Sequence, residues 1–270
     1  MLDFIKQRLS LDFADMFIHV TLALAPFGMK AIFFFMNDVT DAVAKAFDLI
    51  VTANPDLIEI VLRSFYVNGV AVLCSGLLGL SLGAVLAVYQ FRGRTLCLIV
   101  VNALMGLPPV VVGLLVYMLI SNSGPLGVIG LLYTPLAMII AQVILITPII
   151  TALTVQCLEL MHQEYEEQLK SLGASKWQMA QTLLWDARYG LTTVMLAGLG
   201  RAISEVGAVM IVGGNINHLT RIMTTAIALE TSKGTLSLAL ALGLILILLS
   251  FAINGLVYFV NDAAKRGAYA

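Results

Sequence analysis

The chain has 270 residues, of which 60% are hydrophobic and 11% charged, with a formal net charge of −1. Soluble domains average about 45–50% apolar and about 25% charged residues, and a soluble fold of this length lacks the interior to hide so much apolar surface. The composition predicts an integral membrane protein, and the near-neutral charge without a basic run points away from a nucleic-acid partner.

At the N-terminus, Phe17–Met36 is apolar but contains His19, Pro26 and Lys30. It reads as a membrane-embedded segment, either an extra span or an interfacial helix. Asp3, Asp12 and Asp15 precede it, so a cleaved signal peptide is not expected. The stretch 37–63 carries Asp38, Asp41, Asp48, Asp56 and Glu59 and suits an external location.

Three stretches then lack any Asp, Glu, Lys or Arg: Ser64–Phe91, Thr95–Leu158 and Gly234–Asn261. A helix needs about 20 apolar residues to cross the hydrocarbon core. The first stretch predicts a span near Phe65–Tyr89. The second is long enough for two, and the polar turn Ser121-Asn122-Ser123-Gly124-Pro125 divides it into spans near Thr95–Ile120 and Val128–Leu158. A fourth span near Leu191–Val212 contains Arg201 and Glu205, and the third stretch predicts a fifth near Leu236–Val260. The expected fold class is therefore all-α, with five core transmembrane helices and few or no strands.

Basic residues orient the spans. Arg92 and Arg94, then Lys170, Lys176 and Arg188, then Lys265 and Arg266 fall in alternate connections, which the positive-inside rule places in the cytoplasm. The uncharged 121–127 turn and the 213–233 connection fall outside, although the latter carries Arg221 and Lys233.

Within the second span, Pro108-Pro109 removes two backbone donors and sets two rings against the preceding turn. The carbonyls of Leu104 and Met105 are expected to lose their helical partners, and the N–H groups of Val110 to Val112 to be free at a new helix start. Irregular backbone at membrane depth survives only inside protein or beside a watery cavity, and a helix N-terminus favours anions. Pro108, Pro109, Val110 and Gly113 are thus candidates for an anion pathway; the alternative is a proline kink that shapes packing. Arg201 and Glu205 lie one helical turn apart with Ser204 beside them. An ionisable residue inside a span is costly and commonly functional. These three are candidates for a gate or pathway lining; the alternative is an ion pair that fixes helix packing.

The long polar stretch 159–190 reads as helix, glycine break and second short helix, with Ser171 or Ser175 as the cap of the second piece. Gly173 permits a tight turn with positive φ. Cys74, Cys97 and Cys157 show no metal or disulfide spacing and are expected as buried small hydrophobes. His19, His162 and His218 have no carboxylate or cysteine at useful spacing, so neither a metal site nor a catalytic set is predicted.

Glu167-Gln168-Leu169, three residues, Gly173, nine residues and Leu183 resemble the signature of permease subunits of ATP-binding-cassette importers. Two alanines of that signature are replaced by Gln168 and Leu169, and its final Leu-Pro by Trp185-Asp186. Gly106–Gly113 and Ser123–Gly127 resemble molybdate and tungstate permeases, and Gly200–Met210 with Thr224–Thr231 resemble the tungstate branch. The resemblance covers roughly 56–264. It implies a type I importer-like fold, with 1–64 as an N-terminal extension, 65–260 as the transmembrane domain and 261–270 as a cytoplasmic tail. It makes Glu167, Leu172, Gly173, Ala174, Ser175 and Trp177 the ATPase-coupling element. It also implies a homodimer with two ATPase subunits and an extracytoplasmic oxyanion-binding protein, in a prokaryotic plasma (inner) membrane and its lipid. Tungstate is the expected cargo and molybdate the alternative. The chain contains no G-x-x-x-x-G-K-[ST] phosphate loop, so it is not expected to be an enzyme or to hold a cofactor; ATP and Mg belong to the partner ATPase. A stand-alone channel or secondary transporter would predict an internal repeat or buried acidic ion sites, and an intramembrane enzyme a paired nucleophile and base.

Overall fold

The computed structural model describes residues 39–52 and 55–269, with side chains through 259; the segment Phe17–Met36 lies outside the described residues. Among the described residues all regular structure is helical. In chain order the helices are α1 (39–51), α2 (Pro55–Val88), α3 (Arg94–Met105), α4 (Pro109–Ile120), α5 (Pro135–Ser171), α6 (Lys176–Asp186), α7 (Arg188–Ser204), α8 (Gly207–Gly213), α9 (Met223–Ser232) and α10 (Leu236–Tyr269), with a 3-10 turn at Gly127–Ile129. Three helices, α2, α5 and α10, are long and apolar enough to cross a membrane unaided. The pairs α3–α4 and α7–α8 are bent by 100° and 58°, and each bent pair counted as one span makes five.

The core is the parallel packing of α2 on α5, the most extensive helix pair in the molecule, with Asn68 beside Gln142, Gly79 beside Ile150 and Gly83 beside Thr154. Gly79 and Gly83 of α2 make it possible. A Cβ at Gly79 would lie 2.7 Å from Ile150 Cγ2, and one at Gly83 2.5 Å from Thr154 Cβ. Small residues at such spacing let membrane helices approach closely and gain dispersion contact where lipid supplies no hydrophobic drive.

Proline acts differently in two places. Pro148 sits inside α5 without interrupting it. The Thr147 hydroxyl donates to the Val143 carbonyl at 2.7 Å, one turn back, and α2 packs across the site. At Pro108-Pro109 the second ring acts on the first proline. A residue before proline is pushed out of the α region, and Pro108 takes ψ 124, which ends one helix and starts another. The expected single span near Thr95–Ile120 is therefore a sharply broken pair. The expected span near Val128–Leu158 is also corrected: α5 starts later, at Pro135, capped by Thr134, and runs on to Ser171.

The basic connections gather at one end. Arg94 pairs with Glu159 of α5, and the Lys176 ammonium stands 5.7 Å from the centroid of the Tyr89 ring. At the other end Glu59 accepts from Arg63 and His218, each at 2.6 Å, and Arg63 also donates to the His218 carbonyl at 2.8 Å. The expectation that His218 lacks a carboxylate partner is thereby corrected; the two residues are 159 apart in sequence. The cysteines also depart from expectation. Cys74 and Cys97 are exposed and Cys157 is partly covered. A small apolar residue in a span needs no protein neighbour, because lipid solvates it equally well.

Two engineered cysteines test the arrangement of ends. In a background with the three native cysteines replaced, Ser175→Cys should react with an impermeant maleimide only from the cytoplasmic side, and Ser123→Cys only from outside. Labelling of both from the same side would overturn the topology.

Candidate functional site

Two regions gather the residues singled out in sequence. The first is the turn between α5 and α6. Gly173 has φ +74. Its N–H donates to the Lys170 carbonyl and the Ala174 N–H to the Leu169 carbonyl, both at 3.0 Å. These paired bonds form a Schellman ending, which needs a left-handed residue at the turn. A Cβ at Gly173 would meet nothing within 4 Å, so the glycine answers to backbone angle rather than space.

The next helix starts at once. Ser175 accepts from the Gln178 N–H at 3.4 Å, and Gln178 Oε1 accepts from the Ser175 N–H at 2.8 Å, a reciprocal capping box. Of the two serines considered, Ser175 is the cap. Ser171 instead donates to the Gln168 carbonyl within α5. Leu183 is buried and Leu169 packs on the core. Leu172 and Trp177 point the other way, 81% and 60% exposed, and Glu167 is exposed on the preceding turn. Two capped helix ends thus hold an apolar pair out from one end of the bundle.

The second region lies where the two broken spans meet. Gly113 and Gly207 bring them together: a Cβ at Gly113 would lie 2.7 Å from the Ala208 Cα, and one at Gly207 2.9 Å from Val110 Cγ2 and 3.7 Å from both Val110 N and Glu205 Oε1. The start of α4 therefore nests on the start of α8. Pro108 and Val110 are exposed beside this nest, Pro109 is half-buried and Gly113 is buried. The expected row of free amides is corrected. The Val111 and Val112 N–H groups both turn back to the Pro108 carbonyl, at 3.0 and 3.2 Å. The Leu104 carbonyl is not orphaned either, since the Leu107 N–H reaches it at 3.2 Å.

Glu205 stands in the break between α7 and α8 with extended backbone, ψ 126. Its side chain is 3% exposed. One carboxylate oxygen takes Arg201 Nη1 at 3.0 Å, and the other accepts from the Ala208 N–H at 3.0 Å. Arg201 lies in the last turn of α7 and Glu205 at the first of α8, the placement in which both helix dipoles favour the charge present. The Thr224 hydroxyl donates to the Glu205 carbonyl at 3.0 Å. Gln142 Nε2 donates to Asn68 Oδ1 at 2.8 Å and to the Ala202 carbonyl at 3.3 Å. The last carbonyls of α7 are thus met by α5 and α9. Asn68, Gln142 and Thr224 were missed in sequence, although buried amides in apolar spans are themselves a signal.

Arg201 remains 29% exposed. Next to it, exposed Ser204 lines an open groove of about 470 Å³ between α7 and α10, with Gly200, Ile203, Ser250 and Asn254. An arginine already neutralised by a carboxylate attracts a passing anion weakly, which permits release. Beyond the junction, hydrogen bonds from Lys233 and Thr235 hold the Glu230 carboxyl below its ordinary range.

Discontinuous helices that meet at a buried polar junction are a feature of transporter folds. The family of binding-protein-dependent transport system inner membrane components matches residues 78–266. A tungstate uptake system permease protein of Peptoclostridium acidaminophilum is 39% identical over 227 residues, which cover 84% of this chain and 100% of that protein. A probable anion ABC transporter permease protein of Haloferax volcanii is 40% identical over 205 residues, 74% of this chain and 88% of that one. A tungstate uptake system permease protein of Campylobacter jejuni is 35% identical over 232 residues, 86% of this chain and 95% of that one. The chain belongs to the family of binding-protein-dependent transport system inner membrane components. It is a transport subunit rather than an enzyme, and its family works in complexes with an ATPase and a binding protein.

The nest between α4 and α8 has a direct test. Gly113→Ala should force the two helix starts apart and lower stability by about 1–3 kcal/mol, the usual cost of overpacking. Gly69→Ala, where a Cβ meets nothing within 4 Å, should hold or raise stability. Apparent melting temperatures of the purified proteins in detergent measure both.

Proposed function

We propose that this chain is the membrane-spanning permease of an ATP-driven importer of tungstate. It works as a homodimer with two ATPase subunits, which carry ATP and Mg, and with an extracytoplasmic oxyanion-binding protein. Its place is the plasma membrane of a prokaryote, in contact with membrane lipid. Residues 1–64 are an N-terminal extension, 65–260 the transmembrane domain with the coupling loop at 159–190, and 261–270 a cytoplasmic tail.

The observation that carries the reading is the twice-capped turn with Leu172 and Trp177 held outward. Bare apolar side chains on an otherwise polar cytoplasmic surface are the mark of a docking face. Glu167, Leu172, Gly173, Ala174, Ser175 and Trp177 form the surface that an ATPase groove receives. Tungstate as cargo rests on the named uptake systems of the two relatives. Molybdate is the second reading, because both are tetrahedral dianions of nearly equal size. The pathway passes Pro108, Pro109, Val110 and Gly113 on one broken span and Arg201, Ser204 and Glu205 on the other.

Two experiments test this reading in vesicles that contain the assembled transporter. Gly173→Val should strain the turn by about 1–3 kcal/mol and uncouple transport. Substrate-stimulated ATP hydrolysis and tungstate uptake should both fall, with the permease still inserted; wild-type hydrolysis in this variant would remove the coupling role. For the pathway, Glu205→Gln and Arg201→Met should each impair assembly or uptake, since breaking a buried pair costs about 3–5 kcal/mol whereas replacing both members can be near neutral. The Arg201→Met, Glu205→Gln double variant should assemble but not transport. Full uptake by it would leave the pair with a packing role alone.

A further inference from the structure

The cytoplasmic half of the bundle carries a groove that the transport reading does not use. It lies between α2, α6 and α7, has a volume of about 430 Å³, and is lined by Leu77 and Leu80 of α2, Leu184 of α6, and Arg188, Leu191 and Met195 of α7. Met195 packs on α2 at the end of the groove away from Arg188. Gly76 lets Met195 lie so close that a Cβ there would be 2.5 Å from Met195 Cε. The polar groups on its walls are turned to their own helices: Ser81 donates to the Leu77 carbonyl at 2.7 Å and Thr192 to the Tyr189 carbonyl at 2.6 Å. The groove is therefore an open, mainly apolar one with Arg188 at one end.

Arg188 stands at the end of the groove away from Met195. Its guanidinium lies 5.1 Å from the Trp185 ring centroid and 4.6 Å from that of Tyr189, and Nη1 donates to the Trp185 carbonyl at 2.8 Å. Among the described residues no carboxylate lies within 4.0 Å of it. It is the first residue of α7, and its bond to the Trp185 carbonyl lets the C-terminal end of α6 offset only part of its charge. Trp185 is 70% exposed beside it, as tryptophans at a membrane–water boundary are. From Arg188 to Met195 the helix rises ~10 Å, within one leaflet of a hydrocarbon core about 30 Å thick.

We propose that this groove binds one anionic phospholipid of the inner leaflet, its phosphate on Arg188 and the upper part of an acyl chain along Leu77, Leu80 and Leu191. The choice of occupant follows from charge and shape together. A neutral lipid would leave the guanidinium without a counter-ion, and a soluble anion would leave the apolar slot open to water. Basic pockets between spans on the cytoplasmic side take lipid headgroups in this way. The inference rests on the membrane placement of the spans and is independent of which anion is transported.

The test uses the full-length permease, equilibrated with equal amounts of phosphatidylglycerol and phosphatidylcholine, with retained lipid counted by native mass spectrometry. The wild type should retain phosphatidylglycerol in preference by about five-fold, the factor that one arginine near an anionic headgroup supplies. Arg188→Gln should bring the ratio close to one, and Arg188→Lys should keep most of it. Leu77→Trp, which fills the slot without touching the charge, should lower retention of phosphatidylglycerol, and it decides the matter if Arg188→Gln is not recovered folded. Arg92→Gln, an exposed cation at the same end, should change nothing. Equal retention of both lipids by the wild type, or an undiminished preference in Arg188→Gln or Leu77→Trp, would overturn the proposal. So would displacement of the lipid by glycerol 3-phosphate, which would mark a soluble-anion site, or disulfide capture of a second copy through Leu77→Cys, which would mark a subunit interface.

Discussion

A carboxylate placed where no water reaches it loses several kcal/mol of solvation, and an uncompensated one would not stay there. Glu205 meets this constraint by dividing its two oxygens, one to the Arg201 guanidinium and one to the Ala208 amide. The division is possible only because α7 stops. In an unbroken helix the Ala208 amide would be taken by Ser204, four residues earlier. The break, in turn, is tolerable at membrane depth only because the freed groups have partners: Thr224 meets the Glu205 carbonyl and Gln142 the Ala202 carbonyl. The packing of α5 and α9 around this point is thus tied to the Glu205 junction.

The second break depends on the first. The start of α4 rests on α8 at two glycines, Gly113 and Gly207. With α8 in line with α7, the surface on which α4 sits would not exist. The 100° turn at Pro108-Pro109 and the 58° turn at Glu205 are therefore one packed unit, and Arg201 and Ser204 border the open groove beside it.

One long element spans the distance between this unit and the Gly173 turn. Helix α5 carries Gln142, which touches the last turn of α7, and ends at the Gly173 turn. The 30 residues from Gln142 to Ser171 span ~44 Å as one helix. The turn and the junction are joined by one helix, with a single ladder bond missing at Pro148, rather than by loops. That is a path of physical contact; the uptake and hydrolysis measurements address whether it carries coupling.

Composition and charge-free runs were sufficient to read the membrane class and the five apolar segments. Each depends on transfer from water to lipid, which is a property of residues and not of their neighbours. The Gly173 turn was legible for a similar reason: its φ of +74 is a local demand that glycine meets alone. The Arg201–Glu205 pair was legible from its four-residue spacing, but not the helix break between the members. Sequence separation hid the rest. Asn68 and Gln142 are 74 residues apart, Glu59 and His218 159, and nothing local in either member names the other. Two of the amides expected free after Pro109, those of Val111 and Val112, are closed locally by the Pro108 carbonyl in the first turn of α4. The sequence by itself determined where the chain is buried in lipid and where it must turn. Tertiary structure alone decided which breaks meet and which buried polar groups are satisfied, because hydrogen-bond partners inside a membrane are chosen by packing geometry between helices distant in the chain.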